Sequence, residues 1–523
     1  MLKKLLPWQK SCLSAWEANQ FRGIVNVITG AGKTMLAIAA IERLIQNADT
    51  RLNVKIVVPK TFLMYQWHTV LREELNIPRE SIGFYSGAFK SLPNKMIMVY
   101  VINSARDVLA RHIVENIGQG ETVFLIADEC HHYGSDSNAR IFSYSSYIPA
   151  DASVYTLGLS ATPWCKNYHE VLVPALGDEI YRFGFLDALN ADIISKFSLF
   201  NISVSFSHEE RHTYDELSGQ LSYALFQLLE IYPNLRSKKS RSFFTALEDV
   251  ISGPNGEASD LAKSVLFLTT QRKEVVHQAK YRIDCVIELI RRIPKSAKII
   301  IFGERIETAE EINRRLHIMY PNEAGLYHSK TPKDLGVHTL RQFKDGDIRI
   351  LVSCKTLDEG LNVTEADVGI VVSSTGSRRQ RIQRLGRVLR KKQNGHKACF
   401  YYLFVGDTTE EEEQLNDTAK PEFDRLINRI NLQFNEKEGT FGNPQYMAWE
   451  MSIVENMTEN GSTSDEIIEF MRNSDKGILT TDWLMPEQLC KHRIATAANK
   501  EERNYYIAML LIIRKRVNFH THE

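Results

Sequence analysis

The chain has 523 residues, of which 43% are hydrophobic and 24% are charged, with 64 basic and 64 acidic side chains. Zero net charge gives no general attraction for nucleic acid, so a contact of that kind would have to come from local patches. The seven cysteines are scattered and form no Cys-x-x-Cys pair, which argues against a disulfide framework or a structural zinc site.

The longest strongly apolar run, residues 507–513, is far too short to span a bilayer. Lys3 and Lys4 precede only two leucines before Pro7, which is too short for a signal-peptide core. We therefore expect no membrane partner, and a cytoplasmic or nucleoid-associated location.

Apolar, β-rich runs alternate with helical stretches from about residue 25 to residue 162. Continuous Val, Ile and Leu runs suit strands that are buried on both faces, which predicts a parallel sheet covered by helices. The same rhythm returns from 298 to 404, so we predict an α/β protein with two parallel-sheet units. The predicted strands are 25–29, 54–59, 96–103, 122–129, 154–162, 298–304, 323–329, 348–355, 366–374 and 398–404.

The remaining segments are predicted to be mostly helical. Ser207 and Glu210 have the spacing of a capping box, which predicts that a helix begins there. The tail opens with the acidic run 410–413 and continues as a helical, polar segment. The predicted organisation is a first α/β domain at 1–186, a helical insert at 187–292, a second α/β domain at 293–407 and a helical region at 408–523.

The first chemical motif follows the first predicted strand and precedes a helical pattern. This context is the one that a phosphate-binding loop requires, with Lys33 reaching the β and γ phosphates and Thr34 binding Mg²⁺. Val27 stands where the strict pattern has its first glycine, a residue that serves turn geometry. The alternative is a tight turn with a surface lysine. The residues of the motif are Thr29, Gly30, Ala31, Gly32, Lys33 and Thr34.

The second motif ends the predicted strand 122–129. Carboxylates at the carboxyl end of a parallel strand lie where such sheets bind ligands. Asp128 would hold Mg²⁺ through water, and Glu129 would orient and deprotonate the attacking water. One alternative is a metal site that uses His131 and His132, although adjacent histidines on an extended chain point in opposite directions. Solvated charge at the end of a strand is the other.

The third motif is a basic segment of the second unit, 383–390. On a helix, Gln383, Arg387 and Arg390 share one face. Two arginines one turn apart can stabilise the charge that develops on a transferring phosphoryl group. The alternative is a solvated basic helix.

Together these motifs resemble those of superfamily 2 helicases and translocases, from Pro7 to about Phe404 and excluding the insert. The segment 128–131 is similar to the family's DExH box, and the segment 160–163 to its third motif. The segment 383–390 resembles the branch that contains the nucleotide-excision-repair helicase, with restriction-enzyme motor subunits nearby. The resemblance implies two RecA-like domains with ATP bound between them.

The resemblance also implies roles for single residues. Gln9 would read adenine, and Gly360 would lie in the fifth motif, where Asn362 replaces the aspartate of many relatives. His131 would link the ATP site to Gln383. Ser160 and Thr162 would join it in coupling hydrolysis to movement. The expected nucleic-acid contacts are Pro59, Lys60, Gln66, Ser86, Gly87, Ser104, Gly303, Arg305, His328, Ser353 and Thr356.

The predicted function is therefore an ATP- and Mg²⁺-dependent DNA helicase or translocase, moving 3′ to 5′ by analogy with the family. An RNA helicase is the first alternative. A second is an ATP-gated clamp or scaffold of a repair or defence complex, without unwinding. A small-molecule phosphate-loop kinase would leave the second α/β unit unexplained. A protein partner would bind through 187–292 or 408–523.

Overall fold

The computed structural model describes residues 5–47, 50–149, 152–194, 197–237, 240–354, 366–373, 398–411 and 428–520. These residues divide into two compact units, the first at 5–194 and the second from 197 onward. Each unit is built on a sheet that is wholly or mostly parallel. The predicted α/β class with two parallel sheets is confirmed.

The first unit has a seven-stranded, all-parallel sheet in the order β3-β4-β2-β5-β6-β1-β7. All seven residues of β2 and all seven of β5 are buried, as expected for central strands with helices on both faces. The strands are β1 (Ile24–Val27), β2 (Leu52–Val58), β3 (Ile82–Tyr85), β4 (Ile97–Val101), β5 (Thr122–Asp128), β6 (Val154–Ser160) and β7 (Glu179–Phe183).

The described residues of the first unit form eight α-helices, of which α1 precedes β1 and α8 follows β7. The first begins with Pro7 at its first turn, where the missing N–H costs no hydrogen bond. They are α1 (Pro7–Ala18), α2 (Lys33–Asn47), α3 (Thr61–Leu75), α4 (Ile102–Ala105), α5 (Leu109–Gly118), α6 (Asp136–Ala139), α7 (Val173–Leu176) and α8 (Phe185–Asn190).

The second unit has an eight-stranded sheet in the order β10-β11-β9-β12-β13-β8-β14-β15. Its pairs are parallel except β14 with β15, which is antiparallel. The strands are β8 (Phe197–Val204), β9 (Ile299–Gly303), β10 (Ala324–Tyr327), β11 (Ile350–Cys354), β12 (Val368–Val371), β13 (Ala398–Val405), β14 (Asn428–Asn435) and β15 (Thr440–Gly442).

Three helices of the insert pack on one another through their own apolar cluster. The predicted capping box is present: Ser207 Oγ accepts from the Glu210 backbone N–H, and the Glu210 carboxylate accepts from the Ser207 N–H. The described α-helices of this unit are α9 (His208–Ile231), α10 (Ser240–Ile251), α11 (Gly256–Gln278), α12 (Tyr281–Arg292), α13 (Ile306–Met319), α14 (Lys333–Asp345), and then Pro444–Glu459, Ser464–Gly477, Glu487–Ala495 and Lys500–His520.

All ten predicted strands are present, and the structure adds five more, β3, β7, β8, β14 and β15. β8 lies in the segment predicted to be mostly helical, yet it pairs with β13 and β14 in the second sheet. β14 alternates exposed and buried residues, a period-two pattern that was readable in the sequence. The boundaries 186 and 292 stay a prediction, and the described second unit begins at 197.

Across the described ranges, every helix is too short or too polar to traverse a lipid bilayer.

Candidate active site

The turn between β1 and α2 has the backbone of a phosphate-binding loop. Gly30 and Gly32 have φ of 90° and 99°, a region that favours glycine. A side chain at Gly32 would lie 2.9 Å from Gln9 Nε2, so both space and conformation call for glycine there. α2 begins at Lys33, so the N–H groups of its first turn lie next to this loop. Such an end binds anions.

The carboxylates at the end of β5 occupy a strained position. Asp128 is the last residue of the strand, and Glu129 follows with φ 50° and ψ 51°. A non-glycine residue in this left-handed region costs free energy and is concentrated at functional sites. The Asp128 side chain accepts hydrogen bonds from Trp67 Nε1 (2.9 Å) and from the Glu129 backbone N–H (3.1 Å).

The first two motifs converge within the first unit. Lys33 Nζ lies 3.8 Å from Glu129 Oε1, and it donates to the carbonyl of Val27 at 3.2 Å. The Thr29 hydroxyl oxygen is buried without a hydrogen-bond partner among the described residues. A buried hydroxyl whose O–H is free to donate and a lysine at the same turn fit an incoming phosphate. Asp128 and Thr34 supply the oxygen donors that Mg²⁺ prefers.

Burial is the main electrostatic feature of Asp128. It raises the pKa of this carboxyl to about 6, and the neighbouring charge of Glu129 acts in the same direction. The hydrogen bond from Trp67 and the charge of Lys33 oppose that rise. A bound cation would stabilise the ionised form of Asp128 by the same mechanism as Lys33.

Gln9 lies against the phosphate-loop turn. Its side-chain oxygen accepts from the Leu6 N–H at 2.8 Å, and its Nε2 donates to the carbonyl of Gly32 at 3.0 Å. Trp8 is buried and stacks on Phe183, with ring centroids 5.2 Å apart. Gln9 therefore holds the start of α1 against the loop. Its reading of adenine stays a prediction.

His131 and Ser160, two of the predicted coupling residues, contact each other. His131 Nδ1 lies 2.9 Å from Ser160 Oγ, and Ser160 Oγ accepts from the Thr162 N–H at 3.0 Å. His131 Nδ1 is also 3.5 Å from Glu129 Oε2. The motif that follows β6 is thus hydrogen-bonded to His131, whose ring lies beside the Glu129 carboxylate that follows β5. Its coupling role stays a prediction.

The argument that His131 and His132 must point in opposite directions was wrong. The segment Cys130–Gly134 is a 3₁₀ helix and not an extended chain, and the two imidazole rings lie 4.3 Å apart. The described residues contain no group of three His, Cys, Asp or Glu side chains that could hold a metal ion.

The predicted arginine motif lies outside the described residues, together with two other predicted site residues. These are Gln383, Arg387, Arg390, Gly360 and Thr356. Their roles stay predictions from the sequence.

The predicted nucleic-acid contacts of the first unit differ in exposure. Pro59 is buried. Lys60, the N-cap residue of α3, is half-buried, and so is Gln66 on the same helix. Gly87 is exposed, with open space around its Cα. Ser86 is buried, and its hydroxyl accepts from the Phe89 N–H, so it holds its own turn together. Its contact with nucleic acid stays a prediction. Ser104, the remaining one, is half-buried on α4.

In the second unit, Arg305 is paired with Glu274 of α11. His328 is buried, accepts from the Lys330 N–H at 3.2 Å and lies 3.5 Å from Glu310. Gly303 ends β9, and Ser353 is buried within β11. No described contact joins these side chains into one charged surface. Their contact with nucleic acid therefore stays a prediction.

Sequence reasoning missed two side chains that hold the end of β5. Trp67 is not among the predicted site residues, and it donates to Asp128 from 61 positions away in the chain. The Tyr133 hydroxyl is buried 2.7 Å from the Asp128 carbonyl and 2.9 Å from that of Val57. No local pattern signals either contact, because packing of α3 and of the 3₁₀ helix creates them.

Two family descriptions match the chain. Residues 2–164 match the type III restriction enzyme res subunit, and residues 281–392 match the helicase conserved C-terminal domain. The first match contains both phosphate-site motifs. The second contains β9 to β12 and the whole of the predicted arginine motif, 383–390.

Among curated relatives, the chain is 29% identical to the DNA 3'-5' translocase XPB2 of Sulfurisphaera tokodaii, over 74% of this chain and 79% of that protein. It is 25% identical to the DNA 3'-5' helicase XPB of Kineococcus radiotolerans, over 78% of this chain and 61% of the relative. The chain thus spans less than two thirds of the second relative.

Solved structures share the fold at low identity. An HsdR-subunit fragment of a type I restriction enzyme from Vibrio vulnificus aligns with 83% of this chain and 70% of its own, at TM-score 0.51 and 16% identity. The Dbp5 protein of Saccharomyces cerevisiae, bound to RNA and ADP BeF3, aligns with 82% and 90%, at TM-score 0.51 and 13% identity. These similarities concern the fold alone.

Proposed function

The chain belongs to the superfamily 2 helicases by its two matched domains, and we propose that it is an ATP-dependent DNA translocase or helicase. The observation that carries the proposal is the approach of Lys33 Nζ to Glu129 Oε1 at 3.8 Å, beside a buried Asp128. A phosphate-binding lysine after β1 and two carboxylates after β5 are the parts that nucleotide hydrolysis needs.

We assign the chemistry as follows. N–H groups of the turn 30–34 bind the phosphates, and Lys33 leaves the Val27 carbonyl to pair with the β and γ groups. Thr34, and Asp128 through water, would hold Mg²⁺, which would supply positive charge to compensate the phosphate oxygens. Glu129 orients the attacking water and takes its proton.

The proposed second-unit contribution rests on the resemblance. Arg387 and Arg390 would stabilise the charge on the transferring phosphoryl group, and Gln383 would pair with His131 when ATP is bound. Closing on ATP and reopening after hydrolysis would then change the grip on the nucleic acid.

DNA is the proposed track, because the relatives named above are a DNA 3'-5' translocase and a DNA 3'-5' helicase. We propose the same 3′ to 5′ direction for this chain. Contacts that go mainly to phosphate and sugar would give little sequence preference and strong salt sensitivity. An intracellular location, in the cytoplasm or at the nucleoid, follows as part of this proposal. So does a protein partner at 187–292 or 408–523.

Steady-state ATPase assays test the proposal directly. Turnover would be measured without nucleic acid and with single-stranded DNA, duplex DNA or RNA of matched sequence, at low and moderate salt. We expect DNA to stimulate turnover most, and Lys33→Ala to abolish it. Lys263→Ala, which changes an exposed lysine of the second unit, is the matched control.

Other outcomes would redirect the proposal. Preferential stimulation by RNA would indicate an RNA helicase, since a site that reads the 2′-OH prefers RNA. Basal ATPase without any stimulation would favour an ATP-gated clamp. Undiminished turnover in Lys33→Ala would contradict the assigned site.

A further inference from the structure

Trp67 contacts the site formed by Asp128 and Glu129. It lies on α3, a helix that the nucleotide-binding motifs do not include. α3 buries one stripe of side chains, of which Trp67 is only 2% exposed. The indole N–H of Trp67 points to Asp128 Oδ2 at a donor–acceptor distance of 2.9 Å. Its neighbour Gln66, on the same helix, is half-buried.

This hydrogen bond is not an automatic result of burying an indole. The Nε1 atoms of Trp8, Trp449 and Trp483 are buried without a hydrogen-bond partner among the described residues. Packing alone therefore leaves indole N–H groups unsatisfied in this protein, whereas Trp67 is aligned with a carboxylate.

The two donors to Asp128 fix its orientation. Oδ1 accepts from the Glu129 backbone N–H at 3.1 Å, and Oδ2 accepts from Trp67. Each carboxylate oxygen has a second lone pair, which is left for a water molecule on a metal ion. A carboxylate held in this way pays no entropy to reorient when the metal arrives, and such outer partners commonly contribute 10- to 100-fold in metal affinity.

We infer that Trp67 is a positioning residue that aims the Asp128 carboxylate at the Mg²⁺ of the bound nucleotide. It touches neither the nucleotide nor the metal and acts only through Asp128. The inference rests on the proposed ATP site and adds a residue that neither motif contains.

Trp67→Phe is the test, because phenylalanine keeps most of the aromatic volume and cannot donate a hydrogen bond. Trp16→Phe is a matched control: Trp16 is 1% exposed in the same unit and donates from Nε1 to the Thr156 carbonyl, also at 2.9 Å. Both variants lose one buried indole hydrogen bond, so a general loss of stability would be similar. Thermal unfolding and far-ultraviolet circular dichroism of the full chain would establish that each variant folds.

The readout is Mg²⁺ affinity and not turnover. Binding of a fluorescent, non-hydrolysable ATP analogue would be followed as MgCl₂ is increased. We expect Trp67→Phe to raise the half-saturating Mg²⁺ concentration about tenfold, with binding restored at saturating Mg²⁺. Trp16→Phe should stay within about twofold of wild type.

Equal Mg²⁺ dependence in the two variants would overturn the role of Trp67 and leave the ATP site intact, provided that Asp128→Asn weakens Mg²⁺-dependent binding. If Trp67→Phe lowers binding by a factor that saturating Mg²⁺ does not restore, its role is structural, and the inference also fails. If wild-type protein shows no Mg²⁺-dependent binding of the analogue, the proposed function fails with it.

Discussion

Each unit contains a pair of adjacent acidic residues after a central strand of its sheet, and the two pairs are held very differently. In the second unit, Glu410 and Glu411 follow β13. Glu411 accepts from Arg282 Nη2 and from the Val405 N–H at 2.6 Å. Glu410 accepts from Arg272 Nε at 2.6 Å. Each glutamate therefore has an arginine of its own.

In the first unit, Asp128 and Glu129 follow β5 with weaker compensation. The hydrogen-bond donors to Asp128 are a neutral indole and a backbone N–H. Glu129 Oε1 lies 3.8 Å from Lys33 Nζ, and Glu129 Oε2 lies 3.5 Å from His131 Nδ1, a ring that is charged only when it is protonated. A buried carboxylate beside a half-buried one, with so little countercharge, is costly unless a cation joins them. The compensated pair is therefore structural, whereas the undercompensated pair is suited to binding Mg²⁺ and water.

The largest expected effect is on turnover at the undercompensated pair. Glu129→Gln keeps the size of the side chain but removes the general base, so DNA-stimulated ATPase should fall by roughly 100-fold to 10,000-fold. Binding of the fluorescent ATP analogue should persist. Glu170→Gln, at an exposed glutamate of the same unit, is the control. Turnover of Glu129→Gln near the wild-type rate would contradict a catalytic role for the Asp128–Glu129 pair.

The compensated pair should affect stability instead. Glu411→Ala leaves the fully buried Arg282 guanidinium without its carboxylate, which should lower the free energy of unfolding by about 3–5 kcal/mol. Urea denaturation measures this loss. The double variant Arg282→Met/Glu411→Leu, which removes both charges, should recover most of it. A loss below about 1 kcal/mol in the single variant would show that the pair is not structural.

The contribution of Asp128 to the free energy of unfolding should depend on pH differently from that of an ordinary surface carboxylate. Its pKa is raised from 3.8 to about 6 in the folded chain, so the folded state keeps a proton that the unfolded state loses between these values. Stability from this group is therefore present at low pH and lost as pH rises through that window, by at most about 3 kcal/mol.

Asp128→Asn removes this titration. In nucleotide-free protein, the variant should gain stability relative to wild type as pH rises from 4 to 7, as measured by urea denaturation at each pH. Its Mg²⁺-dependent nucleotide binding should be impaired over the same range. A stability difference that does not change with pH would contradict the assigned cause.

Of the charged pairs compared, an exposed ion pair should contribute least to the free energy of unfolding. Lys263 and Asp260 lie 2.9 Å apart on α11, and their side chains are 58% and 78% exposed. Water screens such a pair, so Lys263→Ala should change the free energy of unfolding by about 0.5 kcal/mol or less. Urea denaturation beside Glu411→Ala checks this value. A loss as large as that of Glu411→Ala would mean that burial does not distinguish the pairs.

The amino-acid sequence by itself determined the features that depend on local patterns. Ten strands followed from continuous or alternating apolar runs, and the capping box at Ser207 followed from spacing. The residues of the phosphate loop and of the β5 carboxylates were also readable, because a strand, a short turn and a helix place them within a few positions of one another.

Only the tertiary structure decided which distant residues meet. Trp67 reaches Asp128 across 61 positions, and Arg282 reaches Glu411 across 129. The acidic run that begins at 410 showed no partner in the sequence, yet its first two residues are anchored by arginines of α11 and α12. Likewise, β8 joins the second sheet although its neighbours in sequence are helical. Periodicity reports which face of an element is apolar, whereas the partner of a polar atom depends on how separate elements pack.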